Sequence, residues 1–568
     1  MFCAGLTMGA VSSNRDNRFQ IVGAGSVCTV SGVVDVLNTS ELMIENGGRL
    51  VAADLVEIGR GGFSTNILHV KGGSLIVSND LEVSATTGRG NSRLIIESGG
   101  NVTNGLGLFG RQQYSTNNLA LVTGPGSVWH NQNGLILSGS RSSLVISNSG
   151  LVRSDHAFLI GGTIDQVTPI CIGDSIVVDG GVLSVGGDAV NEPVTVGNDG
   201  SGHQLIVTNG GRVEITGSAE TTISRTSASN NLLVVSGPGS LWLSTNASGG
   251  VMNIGGDVNR QNSRLIVENG GQAFTRTLKI NAGSNNDVIV RGPGSLLSCS
   301  FALTVGFVSG GDLSISNGGM VIVTNATGTA LLNVLRGTNL FDGGTILVDQ
   351  LRVTNGALSV FSFRSGTLRS GDTLVNNGSP FVVGDGVNVA VFQLPGGTHT
   401  FNQGLIISSN ATLRGCGTVV GAVTVQPGGT VLSDCTNLVF MGTVTNHGVL
   451  RALNGSTLRA QGLLVNQGVI DVIEGTTNFT GGFINNGIVL TAADVRISEA
   501  LVSGNDLLVK FPSFSGHTFQ LQRRDSLATG SWADLGAAQE GTDAVLTFND
   551  AGSLTNAPAR FYRIRVVP

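Results

Sequence analysis

Carboxylates are the first side chains to weigh in this chain, because pairs or triples of them at the right separation hydrolyse glycosidic bonds, and carboxylates holding a metal beside a basic Arg or Lys cleave polysaccharides by elimination. The densest acidic stretch is Asp165, Asp174, Asp179, Asp188 and Glu192. Within it Asp174 and Asp188 are the residues whose removal tests for catalysis. Asp179 occupies the residue before a turn glycine, a slot that holds Lys71, Thr123, Ser236 or Arg291 in other copies of a repeat. A slot that accepts either charge reads as a solvated turn position.

Other chemistry is sparse. The seven histidines, His69, His130, His156, His203, His399, His447 and His517, are isolated in sequence, with no His-x-x-x-His or His-Glu pairing, so no metal site is expected. Gly256-Asp257 alone does not make a calcium-binding repeat. Arg563-Ile564-Arg565 falls in a terminal segment away from the repeats. No cofactor site and no catalytic residue is assigned. Sugar-binding surfaces use exposed aromatic rings, yet the chain has three Trp and two Tyr. Trp129 and Trp242 share one repeat slot, which is Leu297 in the next copy. Exchange of Trp for Leu marks a packing position, with a ligand platform as the alternative reading for both. Trp532 and Tyr562 are expected to pack the terminal segment. Among six cysteines, only Cys416 and Cys435, 19 positions apart, are spaced to lie one coil above the other and form a disulfide. Two buried thiols are the alternative.

The elements that would position these residues are written in a repeat. Between residues 38 and 320 two half-units alternate. One runs an apolar alternation into Asn-Gly-Gly, as in Leu42 to Gly48, Leu205 to Gly211, Leu265 to Gly271 and Leu313 to Gly319. The other carries Gly-Pro-Gly-Ser, at Gly124 to Ser127, Gly237 to Ser240 and Gly292 to Ser295. Full units recur about every 50 to 60 residues, so each half-unit is one coil of about 25. Each coil offers short strands rich in Val, Ile and Leu between Gly/Asn turns. A single coil cannot bury its apolar side, but stacked coils can, with backbones pairing at ~4.8 Å. The fold expected is all-β: a long parallel β-helix, or solenoid. Asn-centred turns at Asn446, Asn466 and Asn485 continue it with shorter coils.

Composition agrees. Charged residues are 12% of 568, Gly numbers 86, and apolar residues reach 40%, which fits a turn-rich chain able to bury a core. With 31 basic and 37 acidic residues the net charge is −6. Three lysines and arginines dispersed along the sequence give no polybasic run, so nucleic acid is excluded as an expected partner. No apolar run is long enough for a transmembrane helix. Met1 to Val11 lacks a basic leader, so a signal peptide is not evident.

The alternating Asn-Gly-Gly and Gly-Pro-Gly-Ser coils, with Trp129 and Trp242 two places after the Ser, resemble the repeats associated with type V secretion passengers and PEP-CTERM surface proteins. The resemblance covers residues 40 to 320. Residues 396 to 432 look like autotransporter-associated β-strand repeats. The tail from Phe519 to Arg563 is similar to a fibronectin-like C-terminal module of exported proteins. It holds neither a membrane barrel nor a Pro-Glu-Pro sorting motif, so the resemblance supplies no anchoring route.

Four regions are expected: an N-terminal segment and cap at 1–37, alternating repeats at 38–320, shorter coils at 321–499, and a small antiparallel β-sandwich at 500–568 placed to cover the last coil. The expected role is an extracellular or cell-surface structural and adhesive scaffold, not an enzyme, making multivalent contacts with polysaccharide or a cell-envelope protein. Two alternatives stand beside it. One is a carbohydrate-active β-helix enzyme, which needs acidic residues converging in one groove with raised carboxyl pKa values; the other is a protein-binding envelope scaffold.

Overall fold

The Asn-Gly-Gly and Gly-Pro-Gly-Ser segments fold as two different tight turns. In Thr208 to Gly211, Asn209 and Gly210 both take positive φ, 51° and 78°, and the Gly211 N–H returns to the Thr208 carbonyl at 2.8 Å. This is the type I′ pattern that Asn-Gly favours. In Gly237 to Ser240, Pro238 precedes Gly239 at φ 78° and the Ser240 N–H reaches the Gly237 carbonyl at 3.1 Å, as in a type II turn. A Cβ on Gly211 would lie 2.1 Å from the Val178 carbonyl oxygen in the coil below, so the last glycine of that motif is required by close approach.

The computed structural model describes residues 1–10, 15–60, 65–84, 90–110, 115–161, 171–187, 194–226, 228–246, 249–256, 261–281, 283, 285–555 and 559–567. The chain divides into two units, Met1–Ser370 and Gly371–Pro568. Among the described residues no helix is long and apolar enough to cross a membrane.

In the first unit each coil contributes to three parallel ladders. The coil of Arg264–Glu268 continues into Gln272–Ile280, a strand that turns a corner near Arg276 and so serves the second and third ladders. Inward side chains stack on their equivalents. In the first ladder Leu205, Leu233, Leu265 and Val288 lie in register, all fully buried. Each such side chain contributes about 1.5–3 kcal/mol by leaving water. In the second ladder Trp129 lies between Val102 and Val152, and Trp242 between Val213 and Ala273. Each indole thus fills volume left by smaller neighbours above and below.

The second unit repeats the design with shorter coils. Phe381, Leu405, Val423, Val444, Leu464 and Phe483 form one inward stack. The turn asparagines form a ladder of their own: Asn446 Nδ2 donates to Asn466 Oδ1 at 2.8 Å, and Asn466 Nδ2 to Asn485 Oδ1 at 2.7 Å.

Two small antiparallel sheets complete this unit. One holds Glu499–Ser503, Asp506–Pro512 and Val545–Asp550; the other holds Thr518–Arg524, Ala533–Glu540 and Phe561–Val567. Val509, Phe511, Phe519, Leu521 and Phe548 are the core between them. Asp550, almost fully buried, accepts from Arg523, Arg560 and Tyr562, while the Arg563 guanidinium lies 4.4 Å from the Trp532 ring centre. The expectation that this module covers the last coil is not met. It engages the coils through polar groups before the last rung, where Arg451, Asp471 and Glu474 meet Ser515 and His517. Ile488 in the last coil stays 57% exposed, and Phe483 and Ile484 are also exposed.

Candidate ligand-binding face

Third-ladder strands are short, with apolar residues facing into the coil on either side of one residue on the opposite side of the strand, as in Val56-Glu57-Ile58, where that residue is itself buried. Stacking in register turns those central residues into one column along the first unit. Its chemistry is sorted by position. Asp35, Glu57 and Glu82 occupy three successive rungs. Leu108, Ile136 and Leu159 follow, packing as a small apolar cluster with Leu106. Thr195 and Thr222 come next. Asn253, Lys279, Thr304, Asn333 and Arg352 complete the column.

The acidic end places carboxylates one rung apart, ~4.8 Å by backbone spacing. Glu57 is 1% exposed and Glu82 6%. The Arg60 Nε lies 3.7 Å from the Glu57 carboxylate. Burial raises the Asp35 carboxyl above the usual range, against the opposing pull of Arg60 and a hydrogen bond with Thr7. Among the described residues no group of three or more His, Cys, Asp or Glu is placed to hold a metal ion. Sequence reasoning missed this row because it looked for acids dense in sequence, whereas these lie a coil apart.

Of the acidic stretch singled out in sequence, Asp165, Asp188 and Glu192 lie outside the described residues, as does Asp257. Asp179 sits at a turn, accepting the Asn209 amide at 2.6 Å. Asp174 is internal and belongs to a second column, formed by the residue ahead of each first-ladder strand. In alternate coils from Asn118 onward the side chain there accepts a backbone N–H from the coil before it. Asn118 takes Ser92 N–H at 3.1 Å, Asp174 takes Ser142 at 2.9 Å, Asn231 takes His203 at 2.8 Å and Asn286 takes Ser263 at 2.9 Å. Asp174 therefore stands where the other copies have Asn. Burial pushes its carboxyl up to about 8, opposed by the Ser142 N–H.

His203 is the next rung of this column, its Nδ1 accepting the Asp174 N–H at 3.2 Å and lying 3.5 Å from Asp174 Oδ2. Burial lowers the imidazole to about 4, against the carbonyls of Cys171 and Asp199. Cys171 is close by, but burial, with Asp174 and Asp199 adding, pushes its thiol up to about 12, and its Sγ–H is committed to the Ser138 carbonyl. A Cys, a His and an Asp are thus brought together with the thiol held protonated, which serves packing and not nucleophilic attack.

The remaining sequence candidates are placed as follows. Trp129 and Trp242 are fully buried, so neither indole offers a face to a ligand and the platform alternative is withdrawn. Trp129 Nε1 donates to Asn104 Oδ1 at 2.8 Å, whereas Trp242 Nε1 has no partner among the described residues. Cys416 and Cys435 are joined as a disulfide with Cα atoms 5.7 Å apart. The histidines are not isolated in space. His69 faces Glu97 at 3.2 Å and His130 faces Asp155 at 2.7 Å, because coiling brings residues one turn apart into contact, and His517 of the terminal module lies between Asp471 and Glu474.

At the basic end of the third-ladder column the Arg276 guanidinium lies 4.6 Å from the Phe301 ring centre and Lys279 Nζ 4.8 Å from that of Phe307. Phe301 is 52% exposed and Phe307 48%.

No family model and no curated protein matches the chain. Among solved structures, the chain is similar to a crystal structure of a TibC-catalyzed, hyper-glycosylated TibA55-350 fragment, at 15% identity and a TM-score of 0.27, over 63% of this chain and 98% of that one.

Proposed function

We propose that this chain is a non-catalytic structural and adhesive scaffold of the cell surface or extracellular space, a passenger-like β-helix of the kind its repeats resemble, ending in a fibronectin-like module. The observation that supports the reading is the in-register third-ladder column, which reaches solvent at Asn253, Lys279, Asn333 and Arg352. Coil stacking repeats side chains at a fixed spacing of ~4.8 Å, so weak contacts with a long or repetitive partner add along the column. The chain is expected to be retained on polysaccharide or cell-envelope material without changing it. Co-sedimentation with a polysaccharide panel tests this. Retention with intact polymer supports the reading, and failure to bind any envelope fraction contradicts it.

A second reading has one specific observation in its favour. Asp35, Glu57 and Glu82 form the stacked carboxylate row that a carbohydrate-active β-helix enzyme needs, and Asp35 is shifted in the direction expected of a general acid. Release of reducing or unsaturated ends, lost on Glu57→Gln, would establish it in place of the scaffold.

A further inference from the structure

Charged residues on the first-ladder face pair with one another from coil to coil: Arg264 with Asp287 at 3.2 Å, and Arg291 with Glu268. The third-ladder face of the same coils differs. There Arg276, Lys279, Arg336 and Arg352 have no acidic side-chain partner among the described residues. Two of these cations lie over the exposed rings of Phe301 and Phe307, and Arg336 bonds the backbone carbonyl of Val308, itself exposed. Asn333 lies in register between Thr304 and Arg352. In a chain of net charge −6 with three lysines, this concentrates unneutralised cations, aromatic faces and an amide on one surface.

We propose that the third-ladder face between Arg276 and Arg352 binds an anionic polysaccharide, one bearing carboxylate or sulfate groups. The proposal rests on the scaffold reading and names its ligand class and site. The cations recognise the acid groups, the amide hydrogen-bonds hydroxyls, and the rings take the apolar faces of the sugars. The rung spacing of ~4.8 Å is comparable with one pyranose unit of an extended chain, so acid groups spaced along the polymer can meet Lys279 and Arg352 three rungs apart, with Asn333 between them. Phe301 and Phe307 lie on either side of the Ala302–Val305 strand segment, which sets a width of about 20 Å at most.

The test uses the full chain and immobilised polygalacturonate, a heparin-type sulfated glycan and neutral dextran at low salt. The expected result is retention on one or both anionic polymers, weakening as salt is added, and none on dextran; which polymer binds separates carboxylate from sulfate recognition. Arg276→Gln, Lys279→Gln and Arg352→Gln combined should weaken retention at least about tenfold. The charge-conserving set Arg276→Lys, Lys279→Arg and Arg352→Lys should keep binding, and unchanged circular dichroism confirms that both fold. Parent-like retention of the triple Gln variant, no retention of the parent on either anionic polymer, or equal retention on a single-stranded oligonucleotide would overturn the proposal. The first of these leaves the scaffold reading standing, because binding persists elsewhere. Release of sugar ends is the outcome that removes the scaffold reading itself.

Discussion

The Ser240 hydroxyl accepts the backbone N–H of Gly210 at 3.2 Å, joining a Gly-Pro-Gly-Ser turn to the Asn-Gly-Gly turn of the coil before it. The same bond links Ser127 to Gly99 at 3.1 Å and Ser295 to Gly270 at 3.0 Å. Two turn types alternate because one supplies a donor and the next an acceptor. Ser240→Ala removes that bond, at a cost of about 0.5–1.5 kcal/mol for a part-buried group. Amide exchange should quicken in the coils around 204–244 and not in distant ones, since solenoid coils are stabilised by their neighbours. Uniform protection would contradict the assignment.

The two buried tryptophans should respond differently to the same change. Trp129→Phe removes the donor to Asn104 and leaves that carbonyl unsatisfied, whereas Trp242→Phe removes an N–H that bonds nothing among the described residues. Both lose volume, so the difference isolates the hydrogen bond, about 1–3 kcal/mol in disfavour of Trp129→Phe. Urea midpoints of the two variants measure it; equal midpoints would refute it.

Asp174 and His203 predict an unusual pH profile. The folded carboxyl titrates at about 8, against ~3.9 unfolded, so its contribution is full below the unfolded value and is lost as pH rises toward 8. The folded imidazole titrates at about 4, against ~6.5 unfolded, so its contribution grows from pH 4 to 6.5. The two slopes cancel below about pH 6.5, and above it stability falls by roughly 2 kcal/mol up to pH 8. Asp174→Asn restores the residue found in the equivalent coils and should raise the melting temperature at pH 8. An unchanged profile in that variant would count against this account. For the same reason loss of any activity in Asp174→Ala would report on folding.

His517 ties the terminal module to the coils of its own unit. Burial opposes its charge, but hydrogen bonds to Asp471 and Glu474 outweigh burial and raise its pKa. Asp471 is lowered: burial opposes the anion, and His517 and Arg451 more than offset it. The histidine contribution is complete below ~6.5 and is lost as pH rises through its folded value; the Asp471 contribution is complete above ~3.9 and is lost as pH falls. Amide protection at 515–517, measured relative to the intrinsic exchange rate at each pH, should therefore be greatest between about pH 4 and 6.5, and His517→Gln should remove its fall on the alkaline side.

The turns were legible in sequence because Gly and Asn at positive φ leave a motif: Asn46, Asn209, Asn269 and Asn317 all take it. So was the pairing of Cys416 with Cys435, since coils there advance by a steady step. The face was not. Asp35, Glu57 and Glu82 share a column only once every intervening turn is placed, and the dispersed cations at 276, 279, 336 and 352 become neighbours by the same coiling. The inner polar column did carry a signal, in Asn91-Ser92, Asn117-Asn118, Asn230-Asn231, Asn262-Ser263 and Asn285-Asn286. Its first member takes positive φ and its second turns inward, a reading that apolar periodicity alone does not reveal.

Turnover is the most direct test of the central claim that the outer column holds partners without cleaving them. Purified chain incubated for long periods with acidic and neutral polysaccharides, from pH 5 to 9, is assayed for reducing and unsaturated ends beside a Glu57→Gln/Glu82→Gln variant. The account predicts polymer retention with no release above that variant in any condition. Release by the parent that the double variant abolishes, with its fold intact, would contradict it and assign the carboxylate row to catalysis.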